Sequence, residues 1–219
     1  AQNAAVAAMQ NLPDFYTDKN GLHQPQGAIV AMNPHNGYIV AMVGGRGDDA
    51  FNRATQAERQ PGSSMKPFVY LAAIQSGKTP GSIVEDSPVS FGSWSPKNYE
   101  NDYEGSMTYR YALQHSRNVA AVKIADEVGM TKVIKLAKEM GISTLTDQDY
   151  NLSTALGGLT HGVTPLEMVQ AYGVLANGGI KVQPTAILKI VDRNGQVVEE
   201  HSIQEKRVVD EKDAAIITN

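Results

Sequence analysis

The chain of 219 residues contains no cysteine. That excludes a disulfide scaffold, a cysteine nucleophile and a thiolate metal site, and it leaves the redox compartment open. A basic stripe is missing as well. Lys and Arg number 19 against 23 Asp and Glu, a formal net charge of −4. Even Glu205-Lys206-Arg207 is broken by acids on both sides. A nucleic-acid partner, which needs a clustered positive face, is therefore not expected. No window approaches the roughly 18 consecutive apolar residues of a membrane span. The start, AQNAAVAAMQNLPDF, is alanine-rich but has neither a basic n-region nor a long apolar core, so it reads as a short helix rather than a signal peptide. A membrane anchor, if there is one, lies outside this sequence. No internal repeat or low-complexity tract is present.

What is there is an ordinary globular balance, with 42% hydrophobic and 19% charged residues. The length suits one large domain or two small ones with a real core. GAIVAMNPHNGYIVAMVGG (27–45) is two β-branched runs around Asn33-Pro34-His35-Asn36-Gly37, which predicts a hairpin, buried on both faces because the runs do not alternate. From Pro61 the spacing of Met65, Phe68, Val69, Ala72 and Ala73 predicts a helix that ends at Gly77 and Pro80. Residues 81–105 read as loop and hold the single tryptophan. Helices follow in SMTYRYALQHS with a Ser cap, NVAAVKIADEVG ending at Gly129, TKVIKLAKEMG between a Thr131 cap and Gly141, and TPLEMVQAYGVLANGG. In the last, Thr164 and Glu167 form a capping box around Pro165. TAILKIVDRNGQVVEE then reads strand, turn, strand. Strands, a helical block and strands again suggest one sheet built from both ends of the chain, with a helical lobe inserted and a cleft where the lobes meet.

The stretch RQPGSSMKPF (59–68) poses the chemical question. Ser63 is followed three residues on by Lys66, whereas Ser64 is followed by Pro67. Residues i and i+3 on a helix are neighbours, with Cβ atoms roughly 5–6 Å apart. An amine whose pKa is lowered by burial could take the Ser63 proton. At a helix N-terminus the reacting carbonyl would also meet free N–H groups and a favourable dipole. So short a pattern also occurs by chance, and then Ser63 simply caps a helix. In serine enzymes that react with β-lactams, Ser-x-x-Lys is accompanied by a Ser-Asp-Asn element and a Lys-Thr-Gly element. HSRNVAAVKI supplies Ser116-Arg117-Asn118 between two expected helices. Ser116 could relay a proton between Lys66 and the leaving amine, and the Asn118 amide could hold a substrate carbonyl, or either residue could only cap the next helix.

Three long blocks decide between these readings: FNRATQAERQPGSSMKPFVYLAAIQSGKTPGSIVEDSP, WSPKNYENDYEGSMTYRYALQHSRNVAAVKIADEVG and TALGGLTHGVTPLEMVQAYGVLANGG. In this order they resemble the transpeptidase domain of class A (bifunctional) penicillin-binding proteins, from about Gly27 to Gly195. The resemblance implies that Ser63 is the acylated nucleophile, Lys66 its base, and Ser116 and Asn118 the second motif. The middle position of that motif varies in the family, so Arg117 is no objection. The implied fold is an α/β lobe packed on an all-helical lobe, of the penicillin-binding and serine β-lactamase-like type, with an incomplete central sheet in this chain. Residues 1–26 would be a linker and first helix, 27–60 strands of the α/β lobe, 61–180 the helical lobe, and 181–219 the return to the α/β lobe. Trp94 and Tyr99 are candidates for lining the substrate cleft, or for core packing.

The resemblance further implies a D,D-transpeptidase that cross-links peptidoglycan stem peptides and is acylated by β-lactams. It needs no metal and no organic cofactor, and works at the extracytoplasmic face of a bacterial membrane. The third motif is absent. Lys78-Thr79 in SGKTPG runs into Pro80 and lies on the wrong side of the second motif. The expectation is therefore a transpeptidase domain cut before its third motif, accompanied by a second polypeptide that carries the rest. The five histidines show no metal spacing. His115, next to Ser116, suggests a Ser–His pair, but adjacent helical residues point apart. The competing readings are a carboxypeptidase or β-lactamase on the same fold, a β-lactam sensor without turnover, and an inactive scaffold.

Overall fold

The computed structural model describes residues 1–47 and 50–219. In chain order the first elements are α1 (Gln2–Gln10), β1 (Tyr16–Thr17), β2 (His23–Gln24), β3 (Ile29–Met32), β4 (Ile39–Val43) and α2 (Arg53–Gln56). A 3-10 turn at Gly62–Met65 runs straight into α3 (Lys66–Gln75). Then come β5 (Ile83–Asp86), β6 (Gly105–Thr108), α4 (Tyr109–Gln114), α5 (Asn118–Val128) and α6 (Met130–Met140). Two further 3-10 turns, Asp147–Asp149 and Leu152–Leu156, precede α7 (Pro165–Ala176). β7 (Ile180–Val182), β8 (Lys189–Val191), β9 (Val197–Glu200), β10 (Glu205–Arg207) and α8 (Glu211–Thr218) complete the order.

The chain packs as two units, Ala1–Glu58 with Val163–Val209, and Arg59–Gly162 with Asp210–Asn219. The division differs from the sequence expectation in its bounds, and residues 1–26 belong to the first unit. The break falls at residue 162 rather than 180, so α7 belongs to the strand-bearing unit. Residues 210–219 join the helical unit, because α8 packs on α3.

In the first unit β3 and β4 form the expected hairpin. Its turn closes through the Asn33 N–H on the Tyr38 carbonyl (2.9 Å) and the Gly37 N–H on the Asn33 carbonyl (2.9 Å). Gly37 has φ +76°, a left-handed conformation that glycine adopts without strain, and any Cβ there would lie 2.1 Å from the Gln183 carbonyl oxygen. The strands are half-buried rather than covered on both faces. α1 packs on β4, and the Gln2 side chain closes part of that strand's edge. Its amide donates to the Met42 carbonyl (3.1 Å) and accepts from the Met42 N–H (2.8 Å), as a neighbouring strand would. The anticipated single sheet is replaced, among the described residues, by separate two-stranded ribbons, β3–β4, β7–β10 and β8–β9 among them. One parallel bridge, Tyr38 to Thr185, joins the hairpin to the later strands. α7 starts as its sequence dictates: Thr164 Oγ1 accepts from the Glu167 N–H (3.2 Å) and Glu167 Oε2 from the Thr164 N–H (2.9 Å).

In the second unit α3 is the axle. Lys66, Phe68, Val69, Tyr70, Leu71, Ala72 and Ala73 are all buried, so the helix is enclosed nearly all round. It packs on α5, whose own buried face of Val119, Ala120, Ala121, Val122, Ile124 and Ala125 lets the two helices approach closely, and on α6 and α8. The stretch read as loop contains β5, which pairs antiparallel with β6. β6 takes up Ser106, so the cap of α4 is Thr108, which accepts from the Tyr111 N–H (3.2 Å), and not the expected Ser. α6 begins at Met130 with Gly129 before it, one residue ahead of the expected Thr131 cap.

Candidate active site

The residue pair Ser63 and Lys66 straddles the passage from 3-10 turn to α-helix. A 3-10 turn has three residues per turn, so positions i and i+3 eclipse, and both side chains leave the same side. Ser63 is exposed, whereas Lys66 is buried to 1% exposure. The turn is held from behind by residues 157–162. Gln60 forms a two-way amide clasp with Leu159, donating to its carbonyl (2.8 Å) and accepting from its N–H (2.6 Å). Gly157, at φ +78°, presses so closely that a Cβ would stand 2.3 Å from the Gly62 nitrogen and 2.4 Å from its oxygen. Gly162 meets the Arg59 backbone in the same way, at 2.7 Å.

Lys66 points at the loop between α4 and α5. Its Nζ donates to the Ser116 carbonyl, to Ser116 Oγ (2.9 Å) and to Asn118 Oδ1 (2.6 Å). Those are three acceptors for the three protons of an ammonium group. Among the described residues Ser63 Oγ is not one of them. Burial pushes the Lys66 amine down to about 8 from its ordinary 10.5, because desolvation disfavours the charged form. Ser116 has φ +53°, a left-handed conformation that is strained for a residue with a Cβ. The Ser116 N–H bonds to the Leu113 carbonyl (3.0 Å) and the Arg117 N–H to the Ala112 carbonyl (2.9 Å), closing the end of α4.

Arg117 follows in an extended conformation (φ −64°, ψ 120°), so Ser116 and Asn118 face one way and the Arg117 side chain the other. That side chain is 8% exposed and forks onto Asp86, with Nε (2.9 Å) and Nη2 (2.5 Å) on the same Oδ2. Asn118 is engaged at both ends of its amide, Oδ1 by Lys66 and Nδ2 by the Lys97 carbonyl (3.0 Å).

The structure thus brings together Lys66, Ser116 and Asn118, three of the four motif residues, and sets Ser63 on the turn that leads into Lys66. Tyr99 stands 93% exposed, and Trp94 lies half-buried in a tight turn against Phe91 (ring centroids 6.4 Å). His115 is occupied away from Ser116: its ring stacks on Tyr111 (3.8 Å) and Nδ1 meets the Tyr111 carbonyl (3.0 Å). Lys78 of the SGKTPG stretch is paired with Glu127 of α5. Sequence reasoning missed Asp86 and Asn98. Asn98 was within view, next to Tyr99, but its role depends on partners 12 to 21 residues away.

The fold has close parallels. The structure superposes on penicillin-binding protein 1A of Haemophilus influenzae with a TM-score of 0.82 at 31% identity, covering 92% of this chain and 36% of that one. It matches the PonA1 protein of Mycobacterium tuberculosis in complex with penicillin V at a TM-score of 0.83 and 26% identity, covering 99% and 58%. In sequence it is 39% identical over 201 residues to penicillin-binding protein 1A of Rickettsia typhi, covering 88% of this chain and 25% of that protein. It is 43% identical over 184 residues to penicillin-binding protein 1A of Aquifex aeolicus, covering 80% and 25%. The family model of the penicillin-binding protein transpeptidase domain matches residues 27–219. The chain belongs to that family, and its fold is the penicillin-binding, β-lactamase-like fold. It spans about a quarter of the length of the curated relatives it matches. Among the described residues no helix is long and apolar enough to cross a membrane.

Proposed function

We propose that this chain carries the nucleophile, base and second motif of a D,D-transpeptidase that cross-links peptidoglycan. The observation that supports it most is the buried amine of Lys66, brought by long-range folding against Ser116 and Asn118 and three residues from an exposed serine. Ser63 Oγ attacks the carbonyl carbon of the penultimate D-Ala of a stem peptide while neutral Lys66 takes its proton. Ser116 Oγ, hydrogen-bonded to Lys66, hands its proton to the departing amine of the terminal D-Ala and takes up in its place the one Lys66 received from Ser63. The acyl-serine is then taken up by an amine of a neighbouring strand. A β-lactam acylates the same oxygen, its ring opening in place of the peptide bond. The site of action is the extracytoplasmic face of a bacterial membrane. The similar PonA1 protein has a structure in complex with penicillin V, which is in keeping with this reading.

The test is intact-mass spectrometry of the full-length protein with benzylpenicillin, beside Ser63→Ala and Ser64→Ala. The expected result is a one-to-one adduct in the parent and in Ser64→Ala, and none in Ser63→Ala. Failure of the parent to form an adduct overturns the nucleophile and favours a scaffold. An adduct without cross-linking of stem peptides favours a sensor, and release of D-Ala without cross-linking favours a carboxypeptidase.

A further inference from the structure

One polar cluster lies outside the reaction as written. Asp86, at the end of β5, is fully buried, and its carboxylate is surrounded by donors. Arg117 Nε and Nη2 reach Oδ2, Asn98 Nδ2 reaches Oδ1 (2.8 Å) and Oδ2 (3.1 Å), and the Glu104 N–H reaches Oδ2 (3.2 Å). The rest of the Arg117 guanidinium is held too. Nη1 meets Asp102 Oδ2 (3.2 Å) and Glu104 Oε1 (3.0 Å), and Nη2 meets the Asp102 carbonyl (3.1 Å).

The other end of Asn98 does different work. α5 starts with no capping side chain of its own. Asn98 Oδ1 supplies the cap from 20 residues away, accepting from the N–H groups of Asn118 (2.9 Å) and Val119 (3.1 Å). One amide thus joins a buried carboxylate to the first turn of the helix that begins with the second motif. Arg117 joins the same carboxylate to the residue between Ser116 and Asn118.

Resting on the reading of Ser116 and Asn118 as the second motif, we propose that Asp86 and Asn98 are positioning residues for the acyl-transfer site, acting through Arg117 and the start of α5. Ser116 is in a backbone conformation it would leave if free to do so, and such strain persists only where surroundings over-determine it. The fork of Arg117 on Asp86 fixes the residue on one side of Ser116, and the end of α4 fixes the other. The Asn98 cap sets where Asn118 begins its helix, and with it the direction of Oδ1 toward Lys66. A buried pair with so many satisfied partners holds geometry more than it adds stability.

The experiment separates positioning from mere folding. In the full-length protein, Asn98→Ala is compared with the apolar pair Asp86→Leu/Arg117→Met, which leaves no buried charge unpaired and so is the variant expected to stay folded. The readout is the limiting first-order rate of acylation at saturating benzylpenicillin, per folded molecule, with thermal melting in parallel. The expected result is a fall of roughly 30-fold or more in that rate for whichever variant melts cooperatively, with Ser63 still the site of the adduct. Acylation at the parental rate per folded molecule in either variant overturns the proposal and leaves Asp86 and Asn98 as structural polar groups. Absence of an adduct in the parent protein overturns instead the reading on which the proposal rests, and the proposal with it.

Discussion

Lys66 Nζ donates to Asn118 Oδ1 at 2.6 Å, which joins the first residue of α3 to the first residue of α5. Two helix starts 52 residues apart are thereby locked in register by one buried amine. Replacing that amine tests its role directly. Lys66→Met keeps the length of the stem and removes the base. Acylation by benzylpenicillin is expected to slow by roughly 10²–10⁴, the usual worth of a general base. Circular dichroism should remain that of the parent. A variant acylated at the parental rate would show that Lys66 takes no proton from Ser63.

The pH dependence has a definite sign. In the proposed reaction neutral Lys66 is the active form, and burial lowers its pKa to about 8. The acylation rate should climb about tenfold per pH unit below that value and level off above it. Stability follows the same linkage. Between about 8 and the ordinary 10.5 the unfolded chain binds the proton that the folded chain has released. Folding is therefore favoured progressively as pH rises through that window. Stopped-flow acylation from about two pH units below that pKa to two above it checks the first statement; a flat profile would refute it.

Gly157 predicts a backbone effect felt at the turn that carries Ser63. An alanine there would be strained at φ +78° and would bring its Cβ to 2.3 Å from the Gly62 nitrogen. Gly157→Ala should cost roughly 2 kcal/mol of stability. It should also slow acylation by pushing the Gly62–Met65 turn off its position. Denaturant titration together with acylation kinetics measures both; unchanged stability would refute the contact.

Asp149 predicts an acid-sensitive joint in the same unit. Burial alone would raise its pKa, but the backbone and hydroxyl groups of Thr146 and Thr160 outweigh it and hold the carboxyl below the ordinary range. Thr146 N–H lies 2.6 Å and Thr160 N–H 2.7 Å from its oxygens. A group whose folded pKa is depressed stabilises above its unfolded pKa, and that contribution is lost as pH falls through the folded one. Asp149→Ala should destabilise by roughly 3 kcal/mol at neutral pH, with the difference shrinking in acid. Parallel melts at neutral pH and in acid, at about pH 3, decide it.

The parts of the molecule readable from sequence are those whose causes are local. The Thr164–Glu167 capping box, the turn at Asn33–Gly37, and the glycines that stop α5 and α6 each depend on residues within a few positions of one another. The Ser63–Lys66 spacing is local as well, and so was visible. β5 and β6 were not, because Gly105-Ser106-Met107-Thr108 has little strand character and is extended only by pairing with Ile83–Asp86. The Asp86–Asn98–Arg117 cluster was hidden for the same reason: none of its members stands near another in the chain. Ser106 and Thr131 look like caps to propensity, but one was claimed by a strand and the other fell inside the helix.

The three acceptors around Lys66 carry a last consequence. A protonated lysine spends every proton on the loop of Ser116 and Asn118 and is then a tether, with no lone pair to offer. A neutral one has two protons and a free pair of electrons; the Ser116 carbonyl and Asn118 Oδ1 can only accept, whereas the Ser116 hydroxyl can turn and donate to that pair. The Ser116 hydroxyl is thus the one strand of the tether that can reverse its direction when the charge is lost, and the helix starts stay joined in either protonation state.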